Sequence, residues 1–356
     1  GLCPFHREKT ASFHVNPAMQ FYHCFGCGAG GDVFSFVMAQ EKLTFPEAVR
    51  HLAARAGIPL PEQRGPGADR LEKIREALRV GRAYFRAQLL GPAGRGARDY
   101  LAARAIPPAT QEAYGLGFAP DGWDGLLRHG RELVSERSLL EAGLLAEAES
   151  GRVYDRFRNR VMIPIETPAG LPVGFGGRIL GAGEPKYLNS PETAVYRKGS
   201  VLFGAGPARE GIRAAGRVVV VEGYFDVIAL MQSGVPGVVG TCGTALTPEQ
   251  GTALKRLSER IVLLFDGDEA GLRAALRAFP VLVGTVADVR VVRPPEGIDP
   301  DLWVREQGPA EVAAAIDHAP GVLAFLEDLV GRGVLTRRDA ARSAAELAAG
   351  ISDPLD

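Results

Sequence analysis

The chain has 356 residues, too many for one ordinary hydrophobic core, and two or three domains are expected. With 46% apolar residues, 23% charged residues and a formal net charge of −1, its composition is globular and excludes nucleic-acid binding through bulk charge alone. No apolar run approaches the length of a membrane span and no secretory signal is visible, so a cytoplasmic protein without membrane contact is expected. The chain opens inside a motif, Gly1-Leu2-Cys3-Pro4, so a longer natural N-terminus is also expected and the missing signal carries less weight.

Residues 1–60 read as a first, metal-binding unit. Cys3-Pro4-Phe5-His6 and Cys24-Phe25-Gly26-Cys27-Gly28 carry two pairs of ligand types at C-x2-C/H spacing, with seventeen residues between them. Each pair sits in a tight knuckle and offers two ligands to a tetrahedral zinc. Gly26 and Gly28 permit the positive φ such a knuckle requires. Cys3, His6, Cys24 and Cys27 fill all four positions, which predicts one structural zinc in a reducing compartment rather than free thiols or disulfides. His14 and His23 are expected as surface or nucleic-acid contacts. Phe13 and Phe25 are expected in the core, and Arg7, Lys9 and Tyr22 are candidates to touch a single strand. Thr44 and Glu47 form a capping box for a helix that runs to Ala56.

A Pro/Gly-rich stretch then breaks all periodicity, and 61–69 reads as a linker. Residues 70–214 form the next unit. It opens on a helix from Asp69 to about Leu90, with Leu71, Ile74, Leu78 and Phe85 among charges. Short helices follow over 92–150. Strands and loops fill 151–206, with apolar stretches at Val161–Ile165, Pro172–Phe175 and Val201–Phe203. Between Arg152 and Ser200 the bases are Arg152, Arg156, Arg158, Arg160, Arg178, Lys186, Arg197 and Lys198, against Asp155, Glu166, Glu184 and Glu192. That local excess is a polyanion track within a neutral chain.

From Arg217 the rhythm changes to strands at Val218–Val221, Gly237–Gly240, Ile261–Phe265 and Val289–Val292. Helices at Tyr224–Ser233, Pro248–Ser258 and Ala270–Val283 alternate with them. Such alternation predicts right-handed crossovers on a parallel sheet over 215–301. A helical, Ala-rich segment fills 302–356. The fold class is therefore multidomain α/β.

Two of the strands end abruptly in acids: Glu222 with Asp226, and Asp266-Gly267-Asp268. Ligands collect outside the carboxyl ends of such strands, and clustered carboxylates repel unless a cation or proton offsets them. Asp266 and Asp268, with Gly267 letting backbone and metal approach, are metal candidates together with Glu222. Asp226, one turn into the helix, reads equally well as a metal-cluster member or as a first-turn acid or hydrogen-bond acceptor in support of it. Asp299 and Asp301, after the next strand, are a helix N-terminal box or a second metal group. Two cations at such an edge serve polymerases, nucleases and topoisomerases alike.

CPFHREKTASFHV and FYHCFGCGAGGDVFSF resemble the zinc-binding domain, a CHC2 zinc ribbon, of DnaG-type bacterial DNA primases. DRFRNRVMIPI, GFGGRIL and PKYLNSPET…YRKG resemble that family's RNA-polymerase domain. VEGYFDVIAL, GTCGTALT and LLFDGDEAG resemble its Toprim fold. The resemblance implies a mixed α+β subdomain and a Toprim parallel-sheet core. It implies zinc on Cys3, His6, Cys24 and Cys27, and magnesium or manganese at the acids. Glu222, Asp266 and Asp268 then match the principal catalytic acids, with Asp226, Asp299 and Asp301 as further cluster members. Arg178, Lys186 and Lys198 match residues that handle nucleotide or template, and Arg156, Arg158, Arg160 and Asn189 lie in the same motifs.

The implied activity is DNA-templated synthesis of short RNA primers from NTPs on single-stranded DNA, with pyrophosphate released. The implied partners are the template, the NTPs, the RNA product, a replicative helicase and a single-strand-binding protein. Two departures stand out. Ala11 replaces the proline of EKTPSF, and the family's strand-bearing N-terminal segment and C-terminal helicase-docking domain are not represented, so truncation at both ends is expected. Two rivals are weighed: a Toprim nuclease or topoisomerase, and a zinc-dependent single-strand reader whose acids stay unoccupied.

Overall fold

Ring side chains at alternate positions start the architecture. A computed structural model describes residues 1–41, 43–58, 67–243, 245–283 and 288–350, in two units, 1–66 and 67–356. Residues 61–66 of the expected linker, and 351–356 of the helical segment, lie outside the described residues.

In the first unit, β1 (Phe13–Asn16) pairs antiparallel with β2 (Phe21–Cys24), which pairs with β3 (Gly30–Gly31). Period two turns Tyr22 and Cys24 inward. Phe13 stacks on Tyr22 at 5.3 Å, and Phe36 meets Tyr22 edge-on at 5.4 Å. Phe36 lies on α1 (Val33–Glu41), which precedes α2 (Phe45–Ala56). At the head of α2 the Glu47 carboxylate accepts from the Thr44 N–H at 2.8 Å, and Gly57 closes the helix at φ 64°.

The second unit opens on α3 (Ala68–Leu90), whose buried residues Ile74, Ala77, Leu78, Phe85 and Leu89 recur at helical spacing. The short helices α4 (Arg95–Ala103) and α5 (Pro108–Ala113) lead to a strand not foreseen in the sequence, β4 (Gly117–Ala119). Then come α6 (Gly125–Arg131), α7 (Glu136–Glu141) and the hairpin β5 (Leu145–Glu147)/β6 (Val153–Asp155). β7 (Arg160–Glu166), β8 (Pro172–Ile179) and β9 (Tyr187–Asn189) complete an antiparallel sheet in the order β4-β7-β8-β9. The stretch Val201–Phe203 is not a strand. A 3₁₀ turn at Lys198–Ser200 and helix α8 (Ala205–Ala215) crowd it, leaving a single bridge from Phe203 to Gly240.

The alternating region folds as β10 (Val218–Val221), α9 (Tyr224–Gln232), β11 (Val238–Gly240), α10 (Pro248–Leu257), β12 (Arg260–Leu264), α11 (Glu269–Val283) and β13 (Asp288–Val292). All pairings are parallel, in the order β11-β10-β12-β13. Both faces are covered. Val219, Val221 and Val262 join one core with Val161, Ile163 and Ile165 of the antiparallel sheet. Val218, Val220 and Leu263 join another with Leu254, Phe279 and Phe325. Each such side chain contributes about 1.5–3 kcal/mol, which explains the unbroken valine run. Bridges at Phe203–Gly240 and Arg290–Gly321 cover the two sheet edges. Helices α12 (Pro300–Gln307), α13 (Pro309–Asp317), α14 (Val322–Gly331) and α15 (Arg337–Gly350) follow. Among the described residues no helix is long and apolar enough to cross a membrane.

In this strand order the chain leaves β10 first to one side, toward β11, and later to the other, toward β12. The switch point lies between β10 and β12, where a crevice opens at the carboxyl ends. Glu222 follows β10 and Asp266 follows β12, so the topology alone brings them together.

Candidate active site and metal centres

In the first unit, the ligand atoms of Cys3, His6, Cys24 and Cys27 lie within 4.8 Å of one another. Cys3 Sγ is 3.8 Å from Cys27 Sγ, and Cys24 Sγ is 3.9 Å from His6 Nδ1. Zn–S bonds of about 2.3 Å at tetrahedral angles give an edge of about 3.8 Å, so the donor set fits zinc. His6 Nε2 lies 3.3 Å from Glu8 Oε2, a carboxylate behind a ligating imidazole. Glu8 also accepts the Cys3 N–H at 2.7 Å and the Ser12 hydroxyl, which in turn lies 3.1 Å from Cys24 Sγ. Against a burial effect that raises it, hydrogen bonding from Ser12 and the knuckle N–H groups pulls the Cys24 thiol down to about 6. A lowered thiol is a ready metal ligand.

Three expectations change here. Gly26 is needed for space rather than for φ, because a Cβ there would lie 2.8 Å from His6 Nε2. Tyr22 is buried in the aromatic core and leaves the list of strand contacts. Phe25, expected in the core, is 74% exposed, with His23 and His14 edge-on at 4.7 and 5.4 Å.

In the second unit, a cleft of about 220 Å³ opens at the switch point. Its lining includes Glu222, Asp226, Asp266 and Asp299 from one side and Arg104, Lys186 and Tyr187 from the other. The six acids read from the sequence separate into two groups. Among the described residues Glu222 Oε1 accepts only the Asp266 N–H, at 3.4 Å, and the Asp266 carboxylate accepts no hydrogen bond. Asp268 Oδ1 caps α11 by accepting from the Gly271 N–H at 2.8 Å. Asp226 and Asp301 are committed elsewhere, and Asp299 is committed through one oxygen. Asp226 accepts the Gly223 and Asp301 N–H groups at 2.9 and 3.2 Å, one on each oxygen. Asp299 caps α12 through the Leu302 N–H at 2.7 Å. Asp301 is buried and pairs with Arg104 at 2.5 Å and Arg305 at 2.8 Å.

Burial, with Glu222, Asp299 and Asp268 adding like charge and Lys186 opposing, pushes Asp266 up to about 6. Burial, then Asp266 and Asp299, pushes Asp226 up to about 7. Burial also raises Glu222. These are carboxylates short of positive charge. Hard oxygen donors at an open edge suit magnesium, which takes one or two protein carboxylates and completes its shell with water and substrate phosphates. Among the described residues the acids do not converge as the zinc ligands do. Gly267 serves a different contact from the one expected: its backbone packs on the 295–298 loop, where a Cβ would meet Pro295 O at 2.1 Å.

The basic residues also divide. Lys186 lines the cleft. Lys198 Nζ and Asn189 Nδ2 flank Gly243, 3.8 and 3.7 Å from where its Cβ would stand. Asn189 is a brace, donating to Cys242 O at 3.0 Å and accepting from the Tyr224 hydroxyl at 2.9 Å. Cys242 N–H in turn bonds Glu222 O at 2.9 Å, so the brace reaches the acidic edge. Arg178 sits over the Tyr187 and Tyr100 rings, 5.4 and 5.8 Å away, with Nε buried and unpartnered. Arg104 lies over Phe225 at 4.8 Å. Arg160 is buried and holds Gly177 O and Pro185 O at 3.0 and 2.9 Å. Arg156, whose N–H bonds Leu144 O, and Arg158 do not line the cleft. Arg158 stacks on Trp123 at 4.0 Å beside Tyr154 at 5.3 Å, with Arg152 5.7 Å from the same indole. Trp123 is 53% exposed.

Residues 1–66 match the CHC2 zinc finger, 84–209 the N-terminal domain of the DNA primase catalytic core, and 216–293 the Toprim domain. The chain belongs to the DnaG-type primase family. The DNA primase of Deinococcus radiodurans is 50% identical over 303 residues, covering 84% of this chain and 52% of that protein. The DNA primase of Escherichia coli is 40% identical over 333 residues, covering 91% and 57%. The chain thus spans about half the length of the curated relatives it matches. Among solved structures, the zinc-binding and RNA-polymerase domains of the Aquifex aeolicus primase align at TM-score 0.73 and 35% identity, covering 99% of this chain and 86% of that one. A DnaG primase catalytic domain bound to ssDNA aligns at TM-score 0.71 and 33% identity, covering 81% and 93%. Within this family frame, sequence reasoning missed Arg104, Glu8 and the Trp123–Tyr154 pair. Tyr154, one residue before the DRFRNR motif, was the only local signal among them.

Proposed function

We propose that this chain makes RNA primers by joining ribonucleotides on a single-stranded DNA template. The observation that carries the reading is the pairing of Glu222 and Asp266 across the switch point, with Lys186 and Arg104 lining the same cleft. The 3′-hydroxyl of one nucleotide attacks the α-phosphate of the next, a P–O bond forms, and pyrophosphate leaves with the electron pair of the broken bond. Glu222, Asp266 and the free oxygen of Asp268 would hold magnesium or manganese, which when bound lowers the pKa of the attacking hydroxyl and offsets charge on the leaving group. Lys186, Lys198, Arg178 and Arg104 steady the triphosphate. Glu222 is a ligand or the group that takes the hydroxyl proton. Asp226 and Asp301 are assigned a supporting role, because their oxygens already serve backbone N–H groups and arginines, while Asp299 keeps one oxygen free at the cleft and joins the candidate metal set.

The template is proposed to run over Trp123, Tyr154, Arg152 and Arg158. Stacking on exposed rings and phosphate contacts from the guanidiniums suit a single strand of any sequence. That a DnaG catalytic domain has been solved with ssDNA supports this choice of ligand. The CHC2 unit, 1–60, helps choose where synthesis starts; 70–214 carries the template track, 215–301 the catalytic edge and 302–356 a helical support. Replication in the cytoplasm is the setting.

The test is a primer-synthesis assay with labelled NTPs on single-stranded DNA. The expected result is a template-dependent RNA product that Asp266→Ala abolishes while zinc content and template affinity persist. DNA nicking without RNA product, or an RNA product from Asp266→Ala, overturns the reading.

A further inference from the structure

Asp155 lies three residues before Arg158 yet forms no ion pair with it. Its carboxylate is buried and spends both oxygens on the N-terminus of α6, accepting the Leu126 N–H at 2.7 Å and the Leu127 N–H at 2.9 Å. Its main chain is equally committed: its N–H donates to Trp123 O at 2.7 Å, and its carbonyl accepts from Arg158 Nη1 at 2.5 Å. One residue therefore ties down the loop that carries Trp123, the helix after that loop and the guanidinium that stacks on the indole. Among the described residues Arg158 has no carboxylate partner, so its charge stays available to a phosphate.

We propose that Asp155 is a positioning residue for template binding, holding Trp123 and Arg158 in register for one stacked nucleotide while its own charge is diverted to backbone donors. The proposal rests on the reading of Trp123 and Arg158 as the template track. Electrostatics and positioning predict opposite signs for its removal. Asp155→Asn deletes a negative charge beside Arg158, which by itself tightens binding to a polyanion. It also turns one acceptor into an NH2 group facing an N–H donor, which frees the α6 terminus and the Trp123 loop. Loss of one ring–base stack corresponds to about tenfold in affinity.

The experiment measures binding of a labelled oligothymidylate to the zinc-loaded chain by fluorescence anisotropy, with dinucleotide synthesis at saturating template as the second readout. Asp155→Asn is expected to weaken binding about tenfold. It should leave the saturated rate near wild type and reduce the quenching of Trp123 by DNA in a Trp303→Phe background. Should Asp155→Asn not fold, Asp155→Glu, which keeps the charge but moves the carboxylate, is expected to show the same weakening. Tighter or unchanged binding in the folded variant overturns the proposal. Trp123→Ala separates it from the reading beneath: if that variant also binds normally, the track itself is wrong, whereas normal binding by Asp155→Asn beside weakened binding by Trp123→Ala sinks the positioning role alone.

Discussion

The zinc knuckles and the acidic sheet edge both gather donor groups at one place, but they do so differently. Cys3, His6, Cys24 and Cys27 converge within 4.8 Å, with Glu8 and Ser12 bonded behind them, so the four donors close around one position. At the sheet edge Glu222 and Asp266 face a cleft with carboxyls pushed upward by burial and mutual repulsion, and among the described residues no such convergence occurs. A closed site contributes folding energy, while an open one keeps positions free for substrate oxygens. On the proposed function, the difference is that between a structural metal and a working one.

The largest effect is expected at the closed site. Structural zinc is worth about 10–16 kcal/mol in zinc-finger peptides, so Cys27→Ala or chelation should unfold the ribbon. Limited proteolysis should then cut within residues 1–58, while the melting transition of the second unit stays put. Retained protection would erase the contrast. Next comes the open site, where Asp266→Asn should lower dinucleotide synthesis by about 10²–10³-fold, the scale for removing preorganised charge stabilisation. That variant should not lower the melting temperature, since it relieves repulsion. A drop in stability would mean that Asp266 is structural.

The supporting acids should show the converse pattern. Arg305→Ala leaves Asp301, 1% exposed, with Arg104 as its remaining ion-pair partner among the described residues. Breaking a buried pair from one side costs about 3–5 kcal/mol, visible in a denaturant midpoint. The smallest effect is the pH dependence. Asp266 and Asp226 titrate near 6 and 7 when folded and near 3.8 when unfolded. Between those values the folded chain binds more protons than the unfolded one, so stability falls as pH rises. In chelator the second unit should therefore lose a few degrees of melting temperature between about pH 5 and 7.5, magnesium should restore part of it, and Asp266→Asn should flatten the slope. A rising curve would contradict the assigned pKa directions.

Much of this contrast was legible in the residues. Parallel strands covered on both faces read as unbroken valine and leucine runs, and C-x2-C/H spacing is stiff enough to name all four zinc donors. The exchange of Tyr22 and Phe25 was also within reach. Once Cys24 is a ligand, period two places Tyr22 on the same inward face, while Phe25 leaves the strand at the knuckle. What no local pattern reveals is which acids are already committed. Asp226 is tied to Asp301 across 75 residues and Asp301 to Arg104 across 197, so their support of the edge emerges only in the folded chain. Trp123 belongs with them, since Arg158 reaches it only after β6 brings the DRFRNR segment back.

The most direct test of an open catalytic edge is a titration of the zinc-loaded chain with Mn²⁺, followed by the electron paramagnetic resonance of the free ion. Weak binding, on the order of millimolar, is expected, which Asp266→Asn removes and which added nucleoside triphosphate and template strengthen at the protein. A tight site in the absence of nucleotide, or one that survives Asp266→Asn, would contradict it.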